Sequence, residues 1–417
     1  MRIALWLLAL FGIAVAIALF AGNNQGTVTL FWPPYRVDLS LNLVLLALAA
    51  AFVFLHAALG ALAALFDLPR QAVRWRAQQK ERAMHTSLLD GLSHQLAGRF
   101  IRARKSAEVA LAHEHALSGS GQAPAHAAQV RALAHLLAAE SAQSLQDRPA
   151  RDEHLRQALR QTAVRDAQET HEGALMRAAR WALDDREPDA AMSWLADLPQ
   201  GAARRTLALR IKLKSARLAR QTAEALETAR LLAKHRAFSA GAAQSLVRGL
   251  ATDLLNDAHD PVQLQRVWAS LEPVERAMPE LAIHAAQRLV TLGGDAHLAR
   301  DWLLPVWEEQ ATLGDPLKVK LVRALESGLD SLDGAWLARI ESAQRANPRD
   351  ATIQYLAGMA CMKRQLWGKA QQLMSQAAMG LRDARLHRNA WRSLALLAEE
   401  RGDHETAAQA WKRAASD

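Results

Sequence analysis

Cysteine is almost missing from this chain: Cys361 is the one thiol in 417 residues. A single thiol excludes a disulfide framework and any multi-thiolate zinc or iron–sulfur site within one chain. Aromatic residues make up only 5%, and β-branched runs are scarce after residue 67, so there is little material for a buried sheet. The glycine-signalled chemistries are missing too. No Gly-x-Gly-x-x-Gly turn follows a strand, the adjacent Gly293-Gly294 fall between helical segments, and no Walker A, Gly-x-Ser-x-Gly or His-Glu-x-x-His pattern occurs. Dinucleotide-binding, phosphate-loop, serine-hydrolase and zincin readings fall with them.

An evenly basic surface is also lacking, although the net charge is +9 and the pI about 10.1. Residues 1–66 carry +1, residues 67–105 carry +6, and the remainder only about +2. The charge is a local cluster, which excludes a nucleic-acid-binding reading. Its members Arg70, Arg74, Arg76, Lys80 and Arg82 directly follow an apolar run, so anionic lipid headgroups are the implied partners.

Two long apolar runs are present. Ile3 to Ala21 has 19 residues without a charge, and Leu41 to Phe66 has 26, interrupted in polarity only by Asn42 and His56. At about 1.5 Å per residue each is long enough to cross a hydrocarbon core. Ala16 and Ala18 also allow the first run to be read as a cleaved signal segment. In either case the basic cluster behind Phe66 predicts a cytoplasmic location for the chain beyond it, and an outside location for residues 22–40. In that loop Val28, Leu30 and Trp32 alternate with Thr27, Thr29 and Phe31, Pro33-Pro34 breaks the run, and alternation resumes from Tyr35 to Leu39. The pattern suits a small hairpin, or an irregular loop whose Phe31, Trp32 and Tyr35 anchor at the membrane interface.

From residue 67 on the composition is helix-forming, with turn signals such as Gln146 to Pro149, Asp184 to Asp189, Asn256 to Pro261 and Asn347 to Asp350 separating segments of helical length. The C-terminal end fits the tetratricopeptide pattern best: Trp391, Leu394, Ala395, Ala398, Gly402-Asp403, Ala407, Trp411 and Ala414, preceded by a unit with Tyr355, Gly358, Cys361, Ala370, Met374 and Ala377. Segments 96–111, 144–159 and 184–199 each resemble a repeat turn followed by a second helix, while their first helices are poorly marked. The predicted fold class is all-α, with a two-span transmembrane hairpin followed by a cytoplasmic α-solenoid. The expected division is an anchor at 1–66, with spans at about 3–21 and 41–66, and a basic juxtamembrane helix at 67–85. Degenerate repeats then occupy 86–300, and a helical region at 301–417 ends in two clearer units.

Together, two apolar runs, the loop "NQGTVTLFWPPYRVDLSL", a basic stretch and degenerate repeats resemble the HemY family of proteobacterial inner-membrane proteins. The most specific part is the loop, through Gln25, Gly26, Val28, Tyr35, Val37, Leu39 and Ser40. The resemblance implies a location in the bacterial inner membrane and association with haem and tetrapyrrole biosynthesis, with the pathway's enzymes as partner proteins. The unrelated flavin-dependent oxidase that shares the family's name is excluded by the missing dinucleotide turn.

Candidate sites emerge from these readings. His113-Glu114-His115 cannot readily place both imidazoles on one ion, because i and i+2 point about 200° apart on a helix. Cys361 sits at a packing position and reads as a core thiol. His56, deep in the second run, reads as an interhelical hydrogen-bonding group, with a porphyrin ligand as the sharper alternative. Small residues at Gly12 and Ala16, and at Ala57, Gly60, Ala61 and Ala64, allow hairpin packing or self-association. Tetratricopeptide registry would line a binding groove with Thr352, Tyr355, Met359 and Met362 from one unit and Asn389, Arg392, Leu396 and Glu399 from the next. That mixture lacks a carboxylate clamp, so a peptide helix or a folded partner is expected there. The functional expectation is a non-catalytic scaffold without a metal or cofactor. A haem- or porphyrin-binding carrier or enzyme acting late in that pathway, and a scaffold for envelope or lipopolysaccharide biogenesis, are the alternatives.

Overall fold

A computed structural model describes residues 11–18, 22, 25–121, 123–124, 126–162 and 168–415. Between the apolar runs it places an antiparallel ribbon, β1 (Thr27–Trp32) with β2 (Tyr35–Ser40), in the register Val28↔Leu39, Leu30↔Val37 and Trp32↔Tyr35. The β-branched and aromatic residues favour strands, and Pro33-Pro34, which cannot donate to a ladder, occupies the turn. Of the two loop readings the hairpin is therefore the one found, with Phe31, Trp32 and Tyr35 exposed on it. The Leu41 N–H donates to the Gly26 carbonyl at 2.9 Å and the Leu43 N–H to Ser40 Oγ at 3.3 Å. Ser40 thus caps the following helix, as serine does where backbone donors lack partners.

In the first apolar run, residues 11–18 form helix α1 and are exposed, while 3–10 and 19–21 lie outside the described residues. One described helix, α2 (Leu41–Leu96), is long and apolar enough to cross a membrane, so the expected two-span hairpin reduces to one described candidate span. At 56 residues α2 is about 84 Å long and runs through Pro69 without interruption. The expected span, juxtamembrane helix and first repeat helix are one continuous element. Its first buried side chain after the apolar run is Met84.

The chain divides into two units, Met1–His171 and Glu172–Asp417. In the first, α2 packs on α3 (Phe100–Gly119) and α3 on α4 (Ala127–Ser144), which pairs with α5 (Arg148–Gln161). Met84, Leu88, Ala107, Leu117, Val130 and Leu137 form its core. The boundary between the units falls within α6 (Gln168–Asp184).

The second unit continues with α7 (Pro188–Ala196), the short α8 (Gln200–Ala203), α9 (Thr206–Leu218), α10 (Thr222–Lys234), α11 (Ala240–Asn256), α12 (Pro261–Ser270) and the short α13 (Pro273–Arg276). Then come α14 (Pro279–Thr291), α15 (Ala296–Glu308), α16 (Asp315–Glu326), α17 (Gly334–Ala346), α18 (Ala351–Lys363), α19 (Trp367–Gly380), α20 (Ala384–Glu399) and α21 (His404–Ala415). One core of alanine, leucine and a few tryptophans extends from Leu209 to Leu397, with Trp268 stacked on Trp302 at 4.8 Å.

A recurring turn makes the repeat visible. Eight helices end with a residue at positive φ, followed by an N–H that reaches back five residues to a carbonyl: Arg99 to His94, Asp147 to Ala142, Glu187 to Ala182, Gln221 to Ala216, Ala237 to Leu232, Gly294 to Leu289, Leu366 to Cys361 and Asp403 to Ala398, all at 2.8–3.0 Å. This 6→1 closure satisfies carbonyls that have no partner within the helix. The left-handed residue is glycine at 98, 293 and 402, but Gln146, Arg186, Arg220, Arg236 and Gln365 elsewhere. These five turns carry no glycine signal in the sequence.

Arginine supplies a second repeating device. Arg210 donates to the Ala237 carbonyl at 3.0 Å, and Arg288 to those of Leu255, Asn256 and Ala258 at 2.6–2.8 Å. Arg300 donates to the carbonyls of Gly328 and Ser331, both at 2.7 Å, and Arg364 to that of Leu332. A guanidinium's several donors cover helix-terminal carbonyls of a neighbouring pair, where the helix dipole also favours positive charge. Part of the chain's arginine is therefore structural mortar.

Candidate partner-binding groove

Within the second unit α11, α14 and α16 lie in a row, each packed on the next, and α18 and α20 continue it. Their inward faces are leucine and alanine with Val247, Ile283 and Val322. Their other faces present polar residues every three or four positions, the helical repeat of a single stripe: Ser245, Arg248 and Thr252 on α11, Glu280, His284 and Gln287 on α14, and Lys320 with Arg323 on α16. Gly249, Ile283 and Leu317 form the floor, and Arg385 at the start of α20 closes one end. The resulting groove has a volume of about 950 Å³.

Internal bonds hold its walls. Arg248 pairs with Glu280 at 2.7 Å across α11 and α14, and Gln287 Nε2 donates to the Lys320 carbonyl at 3.3 Å across α14 and α16. Arg323 donates to both oxygens of Asp383, at 2.6 and 2.7 Å, and Asp383 in turn caps α20 by accepting the Leu386 N–H at 3.0 Å. Burial pushes the Asp383 carboxyl up, but the Leu386 N–H and the Arg323 guanidinium outweigh it and hold the group below its usual value. His284 bonds Asn256 Oδ1 at 2.8 Å, and burial followed by nearby Arg288 lowers its pKa, which keeps it neutral.

The groove expected from registry stands differently. Tyr355 is fully buried and donates to Glu326 Oε1 at 2.5 Å, and burial together with that carboxylate raises its pKa far above the usual phenol range. Asn389 Nδ2 reaches the same oxygen at 3.3 Å, so α16, α18 and α20 are locked together at this level. Tyr355 is thereby corrected from a groove-lining residue to a core residue: a large side chain at a packing position of the repeat is consumed by the next pair. Thr352, Met359 and Met362 are half-buried, and Met359 Sδ accepts from Ser393 at 3.4 Å. Glu399 accepts from Trp411 Nε1 at 2.7 Å, while Leu396 is exposed and Arg392 stands beside it on the outer side of α20. None of the eight lines the groove upstream. The polar stripes at 245–252, 280–287 and 316–323 were the available signal for it, hidden because these first helices match no consensus.

Elsewhere Arg74, Arg76, Lys80 and Arg82 lie along α2, and the Arg70 side chain lies outside the described residues. His56 is exposed on α2 and stacked on Phe52 with centroids 6.3 Å apart. Glu114, flanked by two histidines in the sequence, is fully buried, accepting from Ser118 at 2.6 Å and pairing with Arg131 at 3.3 Å. Cys361 is buried, and burial raises its thiol pKa, as expected of an inert core residue. Among the described residues no group of three or more His, Cys, Asp or Glu is arranged for a metal ion. Several partly buried histidines have a ring nitrogen committed: His135 to His154 at 3.1 Å, His171 to Thr162 at 2.8 Å and His387 to the Trp391 indole at 3.0 Å.

Residues 26–146 match the family model described as HemY protein N-terminus. That segment carries the N-terminal domain of the HemY family. The matched segment holds the ribbon, α2, α3 and α4, so the family's domain joins the apolar stretch to the first helical pairs in one piece. No curated protein matches the chain. Among solved structures it is similar to Naa15/Naa10 bound to HypK-THB, at 12% identity and TM-score 0.25, covering 78% of this chain and 57% of that one. It is also similar to the tetratricopeptide domain of P58(IPK), at 11% and 0.23 over 76% and 99%, and to the Cut9–Hcn1 hetero-tetramer of APC/C, at 12% and 0.27 over 84% and 68%. The repeat architecture rests on the helix pairs and recurring turns of the chain itself. The chain spans just over half the length of the first of these structures.

Proposed function

We propose that this chain is a membrane-anchored scaffold that binds partner proteins through the groove across α11, α14 and α16 and performs no chemistry of its own. The groove carries the reading: an open polar trough of about 950 Å³ on three packed helices suits recognition of another chain. The anchor would be two-pass in the bacterial inner membrane, with the helical repeats cytoplasmic and the basic stretch of α2 against anionic lipid. Confinement at the membrane raises the effective concentration of partners held side by side. The family's association makes enzymes of tetrapyrrole synthesis the proposed partners.

Crosslinking and mild-detergent affinity purification of the full-length chain tests this. Gly249 has open space where a Cβ would stand, so Gly249→Trp fills the groove without disturbing the core. Tetrapyrrole enzymes recovered with the unmodified chain and lost with Gly249→Trp are the expected result. Equal recovery would remove the groove from the account. Envelope proteins in their place would transfer the scaffold to another pathway, and a Soret band on haem titration without protein partners would favour a carrier.

A further inference from the structure

Charge placement within the groove points to the chemistry of its occupant, an inference that rests on the scaffold reading above. The α11 end is nearly balanced, because Arg248 is matched by Glu280 and Asp253 adds a carboxylate. At the other end Arg323 is matched by Asp383, but Lys320 and Arg385 have no acidic partner among the described residues. Two unmatched cations therefore face one unmatched acid across the groove. Between the ends His284 is neutral, and Ser245, Thr252 and Gln287 offer hydrogen bonds without charge.

We infer that the groove takes an extended internal segment of a partner protein bearing acidic side chains at one end, which Lys320 and Arg385 engage, with an uncharged polar portion over α11 and α14. Three helices spaced 8–10 Å apart span about 20 Å between outer axes, the length of roughly six extended residues. A terminal carboxylate alone would leave most of this length unused, so acidic side chains within a segment are the occupant. The charge pairing supplies orientation and the polar stripe supplies hydrogen bonds.

The test is fluorescence anisotropy with the full-length chain in detergent and labelled octapeptides. Three share a polar background and carry three glutamates, three glutamines or three lysines at one end, all with amidated C-termini, and a fourth is neutral with a free C-terminal carboxylate. The expected result is binding of the glutamate peptide alone, weakened about tenfold or more by Lys320→Glu/Arg385→Glu and by raising salt from about 50 to about 300 mM, both of which act on charge pairing. Both substitutions are at exposed positions, and circular dichroism confirms that the variant folds. Equal binding of the glutamine or lysine peptide, no change in the charge-reversed variant, or binding of only the free-carboxylate peptide overturns the inference. Partner crosslinks through a photoreactive residue at Thr252 separate the two levels. Crosslinks without preference for the glutamate peptide sink the acidic occupant and keep the scaffold, whereas no crosslinks and no peptide binding sink both.

Discussion

The two C-terminal helix pairs, α18 to α21, and the helices before them, α11 to α16, share one row of helices and use it in opposite ways. In the C-terminal pairs the repeat is plain in the sequence, and the consensus positions are filled and shut: Tyr355 is bonded to Glu326, Gly358 has Met374 close against it, and Ala370 and Ala377 are fully buried. In the upstream helices the repeat is faint, and there the surface opens into a groove. A repeat consensus reports which residues pack against the neighbouring pair, and binding surfaces are built from what the consensus leaves free. Of the groove residues expected in the legible repeats, Tyr355 is the one taken up by the core.

The largest effect that would break this comparison is at Tyr355. Tyr355→Ala is expected to cost about 4 kcal/mol of stability, through a cavity and a half-buried carboxylate stripped of a donor, and to act on partner binding only through unfolding. Urea denaturation checks the first, and binding at a temperature where the variant is folded checks the second. Next is Arg300, 2% exposed and braced on Gly328 and Ser331. Arg300→Ala should cost about 3 kcal/mol by chemical denaturation, showing that arginine here closes helix ends.

Acid should separate the first unit from the groove. Burial, followed by His154 and His115, lowers His135 to about 4 from an ordinary 6.5, and His154 is lowered too, first by burial. A depressed histidine favours the folded state fully above pH 6.5, and that contribution is lost as pH falls from 6.5 towards 4, where the unfolded chain binds the proton more readily. After allowance for partial exposure the loss is about 2 kcal/mol, and His135→Gln should flatten the pH dependence of the urea midpoint. Gly294→Ala should cost about 1.5 kcal/mol, since its Cβ would stand 2.9 Å from the Leu289 carbonyl and 2.4 Å from its side chain in one of the repeated turns. Smallest of all, Arg392→Ala and Leu396→Ala, outer positions of the expected groove, should each change stability by less than about 0.5 kcal/mol, and a loss of partner binding would reinstate that surface.

Some features were legible for local reasons. Alternation around Pro33-Pro34 specified a ribbon, Ser40 before an apolar run specified a helix start, and alanine and leucine at helical spacing specified helix pairs. The uninterrupted α2 was not legible, because Pro69 and the change from apolar to basic composition both read as a boundary, while the backbone bonds of a long helix bridge a single proline. Several of the repeated turns were hidden as well, since Arg220, Arg236 and Gln365 take the left-handed conformation that glycine would announce, held there by the 6→1 bond and the packing of the pair.

By itself the sequence determined the helical class, the ribbon, the apolar run, the family resemblance and the confinement of positive charge to one stretch, all of which depend on neighbours within a few turns of chain. Only the tertiary structure decided that Tyr355 is interior, that scattered arginines cap distant carbonyls, and that Arg248, Lys320 and Arg385 share one trough. Those outcomes depend on which helix lies beside which, and pairing between residues so far apart in the chain is set by packing that no local pattern encodes.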